Sequence, residues 1–163
     1  MHVRIGRYQN DDGDDSFERD IDIVIHKYDT WNMDHTLALI ILPMLKQLKE
    51  TKHGSPSVDM TDVPQHLRVN DINGKEYWSD GHTDEKFHER WNYVLDEMIW
   101  AFEQIVDENS EEQFYCHPPY DPNDSLEETV RKIDVDLEGL NDYHNRIDNG
   151  TRLFGKYYRS LWD

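Results

Sequence analysis

Residues 83–106 constrain this chain more than any other stretch, because they spell a helix with aromatic and aliphatic side chains on two of its sides. At 100° per residue, Phe87, Trp91, Val94, Leu95, Met98, Phe102, Ile105 and Val106 fall on one face, the stripe that a helix turns toward a core. Tyr93 and Trp100 fall on the opposite side with Glu97 between them, where a surface helix ordinarily carries charge alone. Something must cover that second face: another segment of the chain, a second copy, or a foreign partner. Tyr93, Glu97 and Trp100 are therefore the candidate partner-binding residues. The intramolecular alternative is a loop over 55–82 that brings Tyr77 and Trp78 onto the same face.

The rest of the chain supplies elements for that helix to pack against. Within 1–28, Val3 and Ile5, then Ile21, Ile23 and Ile25, alternate around an acidic turn-forming run, which predicts an antiparallel hairpin. Residues 29–54 predict a central helix from about Met33 to His53. Asp34 suits its positive end, Lys46, Lys49, Lys52 and His53 suit its negative end, and Gly54 terminates it. Its run over 37–45 is apolar nearly all round, so the first half is expected to be buried centrally, with Pro43 kinking it. Residues 55–82 read as a long loop tacked down by Val63 and Leu67. The two-faced helix occupies 83–107, capped by Thr83, and 108–128 is a loop interrupted by Pro118, Pro119 and Pro122. Over 129–163 a third strand, 129–135, is expected to join the N-terminal sheet, followed by a C-terminal helix from about Leu137 to Leu161. In that helix Gly150 and Gly155 mark close packing or a bend. The predicted fold is a helix-dominated α+β single domain with three main helices and a small antiparallel N-terminal sheet.

Composition narrows the partners. Thirty-five acidic residues against 17 basic ones give a net charge of −18, which disfavours non-specific binding to nucleic acid or an anionic membrane. The same charge suits attraction to basic protein surfaces or imitation of nucleic acid. Cys116 is the lone cysteine, so no disulfide forms within the chain and a reducing interior is expected. The N-terminal residues lack the apolar core of a signal peptide, and the nine-residue apolar run falls far short of the roughly 20 needed to span a bilayer.

Catalytic templates fail one by one. The acidic loop over 10–15 lacks the order of ligands, glycine and terminal glutamate that a calcium loop needs. No His-x-x-x-His pair or Gly-x-Ser-x-Gly turn is present. His35, His88 and His144 are the candidate metal ligands, brought together only if the fold does so. Arg152, Lys156 and Arg159 form the basic cluster on one helical face and are the candidate anion site. Asp96 and Glu103 share a face while Glu97 points elsewhere, so the carboxylates of 83–106 do not assemble a magnesium cluster of the helical pyrophosphohydrolase kind.

The run YDTWNMDHTLALIILPMLKQLKETKHG over 28–54, RWNYVLDEMIWAFEQ over 90–104, and Asn149-Gly150, LFGKYY and the terminal LWD together resemble an uncharacterised family encoded by tailed bacteriophages, marine cyanophages included. The resemblance covers about half of the chain and implies viral origin and expression in the host cytoplasm, with no catalytic residues supplied. The preferred reading is a non-enzymatic phage accessory protein that binds a host protein or another copy of itself, with no cofactor. The alternatives are a metal-dependent hydrolase holding a divalent cation through His35, His88, His144 and nearby carboxylates, a protein sequestering a nucleotide or signal molecule, and a virion component.

Overall fold

A computed structural model describes residues 1–8, 19–69, 83–119 and 121–162 of the chain. The fold is α+β and helix-dominated, with a small antiparallel sheet at its N-terminal end. Packing divides it into two compact units, Met1–Leu37 and Ala38–Asp163.

The first unit is a hairpin and the turn that follows it. Strands β1 (His2–Tyr8) and β2 (Arg19–Val24) pair antiparallel, with Val3 opposite Ile23 and Ile5 opposite Ile21. That register places the four β-branched side chains on one face. Asp29 fastens the turn: its carboxylate accepts the His26 backbone N–H at 2.7 Å and pairs with the terminal amine at 3.1 Å. The His26 hydrogen bond, more than the amine, holds its pKa below the usual carboxylate value.

The first long helix, α1 (Met33–Thr51), begins in this unit and runs unbroken through Pro43 into the second. Its expected central burial does not occur. Ala38 and Leu45 are buried, but Leu37, Leu39 and Met44 are exposed, Met44 at 66%. Hydrophobicity all round a helix requires cover all round, and α1 receives it on one side.

The centre of the second unit is α2 (Phe87–Val106), which buries Trp91, Val94, Leu95, Met98, Ile99, Ala101 and Phe102. It starts later than expected: Asp84 accepts the Lys86 N–H through Oδ1 at 2.6 Å and pairs with Arg90 through Oδ2, while Lys86 at the N-cap makes no side-chain cap. Arg90 is fully buried and donates through Nη1 to the Leu67 carbonyl at 3.0 Å, so one guanidinium ties the segments on both sides of 70–82 to α2. Before that point two short 3-10 turns, Met60–Asp62 and Gln65–Leu67, carry Val58, Val63 and Leu67 into the core. Tyr77 and Trp78, the expected intramolecular cover, and the acidic loop over 10–15 lie outside the described residues.

The expected third strand of the N-terminal sheet is a helix instead. Ser125 and Glu128 form a reciprocal capping box, each side chain bonding the other's backbone N–H, and start α3 (Leu126–Arg131). Only Asp134 and Val135 are extended, as β4, and they pair with β3 (Tyr115–Cys116) rather than with the hairpin. Asp136 then caps α4 (Leu137–Tyr157) by accepting the Gly139 N–H at 2.9 Å. A Cβ at Gly150 would sit 2.4 Å from the Ala101 Cβ and 2.6 Å from the Glu97 carbonyl oxygen, so the bare glycine lets α4 lie directly on α2. Gly155 has open space and no such role. A last 3-10 turn, Tyr158–Ser160, follows α4. No helix among the described residues is long and apolar enough to cross a membrane.

Candidate functional site

The second face of α2, expected to be the partner surface, is occupied by α4 of the same chain. Glu97 is buried, and Arg146 meets it with two parallel hydrogen bonds, Nε to Oε2 at 3.0 Å and Nη2 to Oε1 at 2.8 Å. The same guanidinium lies 3.9 Å from the centre of the Trp100 ring, whose edge contact with Tyr143 spans 5.6 Å between centroids. Tyr93 is half-buried, and burial followed by the Glu97 charge pushes its hydroxyl pKa up. The hydrogen bonds to Glu97 raise Arg146 further. Tyr93, Glu97 and Trp100 thus form an internal seam, because α4 carries a planar cation where the buried carboxylate and the indole need one.

The basic cluster on α4 is likewise engaged from within. Arg152 Nη2 reaches Asp62 at 2.8 Å, and Lys156 Nζ contacts Asp62 at 2.6 Å and Asp59 at 3.0 Å. Tyr157 donates its hydroxyl to Asp62 at 2.7 Å and accepts the Asp59 N–H at 2.9 Å. Burial pushes the Asp62 carboxyl upward, yet the bonds from Lys156, Tyr157 and Arg152 outweigh it and hold the pKa below the ordinary value. Burial, then the bond to Asp62, pushes Tyr157 up to about 12. Two of the three cations expected to hold an anion are therefore neutralised by carboxylates of the chain, and Arg159 alone of the three is exposed without entering this network.

The three histidines do not converge. His88 bonds Ser55 Oγ at 3.0 Å and His144 bonds Glu111 Oε1 at 2.8 Å, while His35 belongs to the first unit. Among the described residues no three His, Cys, Asp or Glu side chains stand where they could hold a metal ion.

Among the described residues, an apolar groove of about 820 Å³ lies between α1 and the last turn of α4 with the residues that follow it. Ile41, Met44 and Leu48 line it from α1, and Phe154, Tyr158 and Trp162 from the other wall. None of its eleven lining residues carries a charge. The lysines of α1 are held on another side of the helix, Lys46 by Glu103 at 2.7 Å and Lys49 by Asp96, both acids of α2. Phe154 stacks edge-on with Phe102 from the core and with Tyr158 at the rim, so the far wall is anchored to α2. Met44, Tyr158 and Trp162 stay 66%, 64% and 69% exposed. The lining offers no carboxylate, imidazole, thiol or amine; its polar atoms are those of Gln47, Thr51, Tyr158 and Trp162, which orient a bound group without reacting with it.

Comparison with protein-family models, with curated proteins and with solved structures finds no match for this chain.

Proposed function

We propose that this protein acts by binding, and that it holds an apolar segment of a partner protein in the groove between α1 and the end of α4. The observation that carries the reading is the charge-free lining in a chain of which 32% of residues are charged. A surface written by chance from such a composition would include several charges along eleven positions. Methionine, tyrosine and tryptophan at its rim are the residue types that dominate protein contacts, since each buries much area while ordering few torsions. The viral origin implied by the sequence resemblance makes a host protein the natural partner.

Truncating the groove without altering its charge tests the reading. The double variant Met44→Ala/Trp162→Ala removes two exposed side chains, so its thermal midpoint should stay within a few degrees of the parent. Proteins captured from host-cell lysate by the parent and identified by mass spectrometry should be lost from the folded variant. Retention of the same proteins by the variant overturns the groove as the binding surface.

A further inference from the structure

The N-terminal hairpin makes its own demand for cover, on residues that take no part in the groove. No described residue of Met1–Leu37 is buried, so this unit has no core of its own. The alternation along its strands is nonetheless that of a sheet with one face turned inward. Val3, Ile5, Ile21 and Ile23 share that face, Val3 opposite Ile23 and Ile5 opposite Ile21, and all four are exposed, Ile21 at 61%. Ile25 continues the alternation past the end of β2 and is exposed as well. The charges keep to the other face, where Arg4 stands opposite Asp22 and His2 Nε2 lies 3.5 Å from the same carboxylate.

We infer that the apolar face of the hairpin is a self-association surface, closed by the same face of a second copy about a two-fold axis. Two strands alone are marginally stable in water, whereas two facing hairpins make a four-stranded sandwich with a shared apolar layer. The counterpart such a face needs is another sheet of the same twist, of matching length and without charge. A second hairpin of this chain supplies all three: sheets twist with one hand, the strands are again seven and six residues long, and the face is again uncharged. The charges of the strands agree. Arg4, Arg7 and Arg19 stand against Asp20 and Asp22, so two hairpins of a chain carrying −18 meet without setting acid against acid. An antiparallel meeting also keeps apart the acidic runs over 10–15 that join the strands.

Sedimentation equilibrium of the whole chain between about 1 and about 300 μM tests the inference. The parent should pass from monomer to dimer over this range. The dimer should tighten as salt rises from about 20 to about 300 mM, because the apolar contact persists while repulsion between the acidic remainders is screened. Ile5→Thr/Ile21→Thr makes the face polar but keeps β-branched residues in the strands, and should raise the dimer dissociation constant by about tenfold or more. Both side chains are exposed, so its thermal midpoint should stay within a few degrees of the parent. Val24→Thr, on the opposite face of the hairpin, and Met44→Ala/Trp162→Ala, in the groove, should each leave the constant within about twofold. A parent that stays monomeric throughout overturns the inference. So does a dimer that survives Ile5→Thr/Ile21→Thr, one that Val24→Thr weakens as much, or one that the groove truncation abolishes. The groove reading is judged separately, by capture of its partner.

Discussion

Helices α1 and α2 pose the same packing problem and receive different answers. Each carries apolar side chains on more than one side, so each needs cover from two directions. On α2 both directions are closed: the core takes Trp91, Leu95 and Met98, and α4 lies across Tyr93, Glu97 and Trp100. On α1 the core takes Ala38 and Leu45, and Met44 on the groove side stays open. The difference lies in the element that arrives. Helix α4 brings Gly150, which admits close approach, and Arg146, which answers a buried charge; toward α1, Phe154 of α4 and the residues after it stand off as the far wall of the groove. Apolar patterning thus states a demand for cover, and the chemistry of a remote segment decides whether it is met within the chain.

The most damaging way to break the closed side is to push α4 away from α2. Gly150→Ala puts a methyl group against a side chain and a backbone carbonyl, and the carbonyl cannot swing aside. The loss of stability should reach the upper part of the ~1–3 kcal/mol typical of overpacked cores. Gly155→Ala on the same helix meets nothing and should be neutral or stabilising by up to about 1 kcal/mol. Urea denaturation of the two variants measures the contrast; equal effects would mean that close approach at Gly150 does not hold the helices together.

A smaller break removes the charge answer alone. Arg146→Ala leaves Glu97 buried without its two hydrogen bonds and strips the cation from the Trp100 face. Because Arg146 is itself 47% exposed, solvent screens part of the loss, and roughly 1–2 kcal/mol is expected. Arg146→Lys should recover less than half, since a point charge cannot make the paired bonds or stack on the indole. If Lys restores full stability in the same denaturation assay, the planar geometry contributes nothing.

These contacts also mark the limit of what the sequence makes legible. The three long helices and the N-terminal hairpin are readable because their periodicity is local. The capping box at Ser125 and Glu128 was equally local, but the β-branched residues Thr129, Val130, Ile133 and Val135 argued for a strand, and the cap prevailed over 126–131. Arg146 and Glu97 stand 49 residues apart, and Arg152 and Asp62 stand 90 apart; no spacing rule connects such pairs. The groove was hidden for a related reason. Its two walls come from positions 41–51 and 154–162, and the run over 37–45 looks the same in sequence whether or not another element covers it.

The smallest break acts through the clasp that fixes α4 from its other side, and pH reads it out. Tyr157→Phe removes the donor to Asp62 and the acceptor of the Asp59 N–H while keeping the ring in the core, which should cost about 1 kcal/mol near neutrality. In the parent, hydrogen bonds depress the Asp59 and Asp62 carboxyls, so the clasp is fully stabilising above the ordinary carboxylate pKa of about 3.9 and is lost as pH falls through the lower folded values. The phenol has the opposite sign. Its folded pKa of about 12 lies above the unfolded value near 10, so its contribution is complete below pH 10 and disappears as pH rises toward 12. The stability gap between parent and Tyr157→Phe should therefore be constant from pH 7 to 9 and shrink between 10 and 12. A gap that stays constant to pH 12 would show that the buried hydroxyl does not depend on Asp62, leaving the clasp to the Arg152 and Lys156 ion pairs.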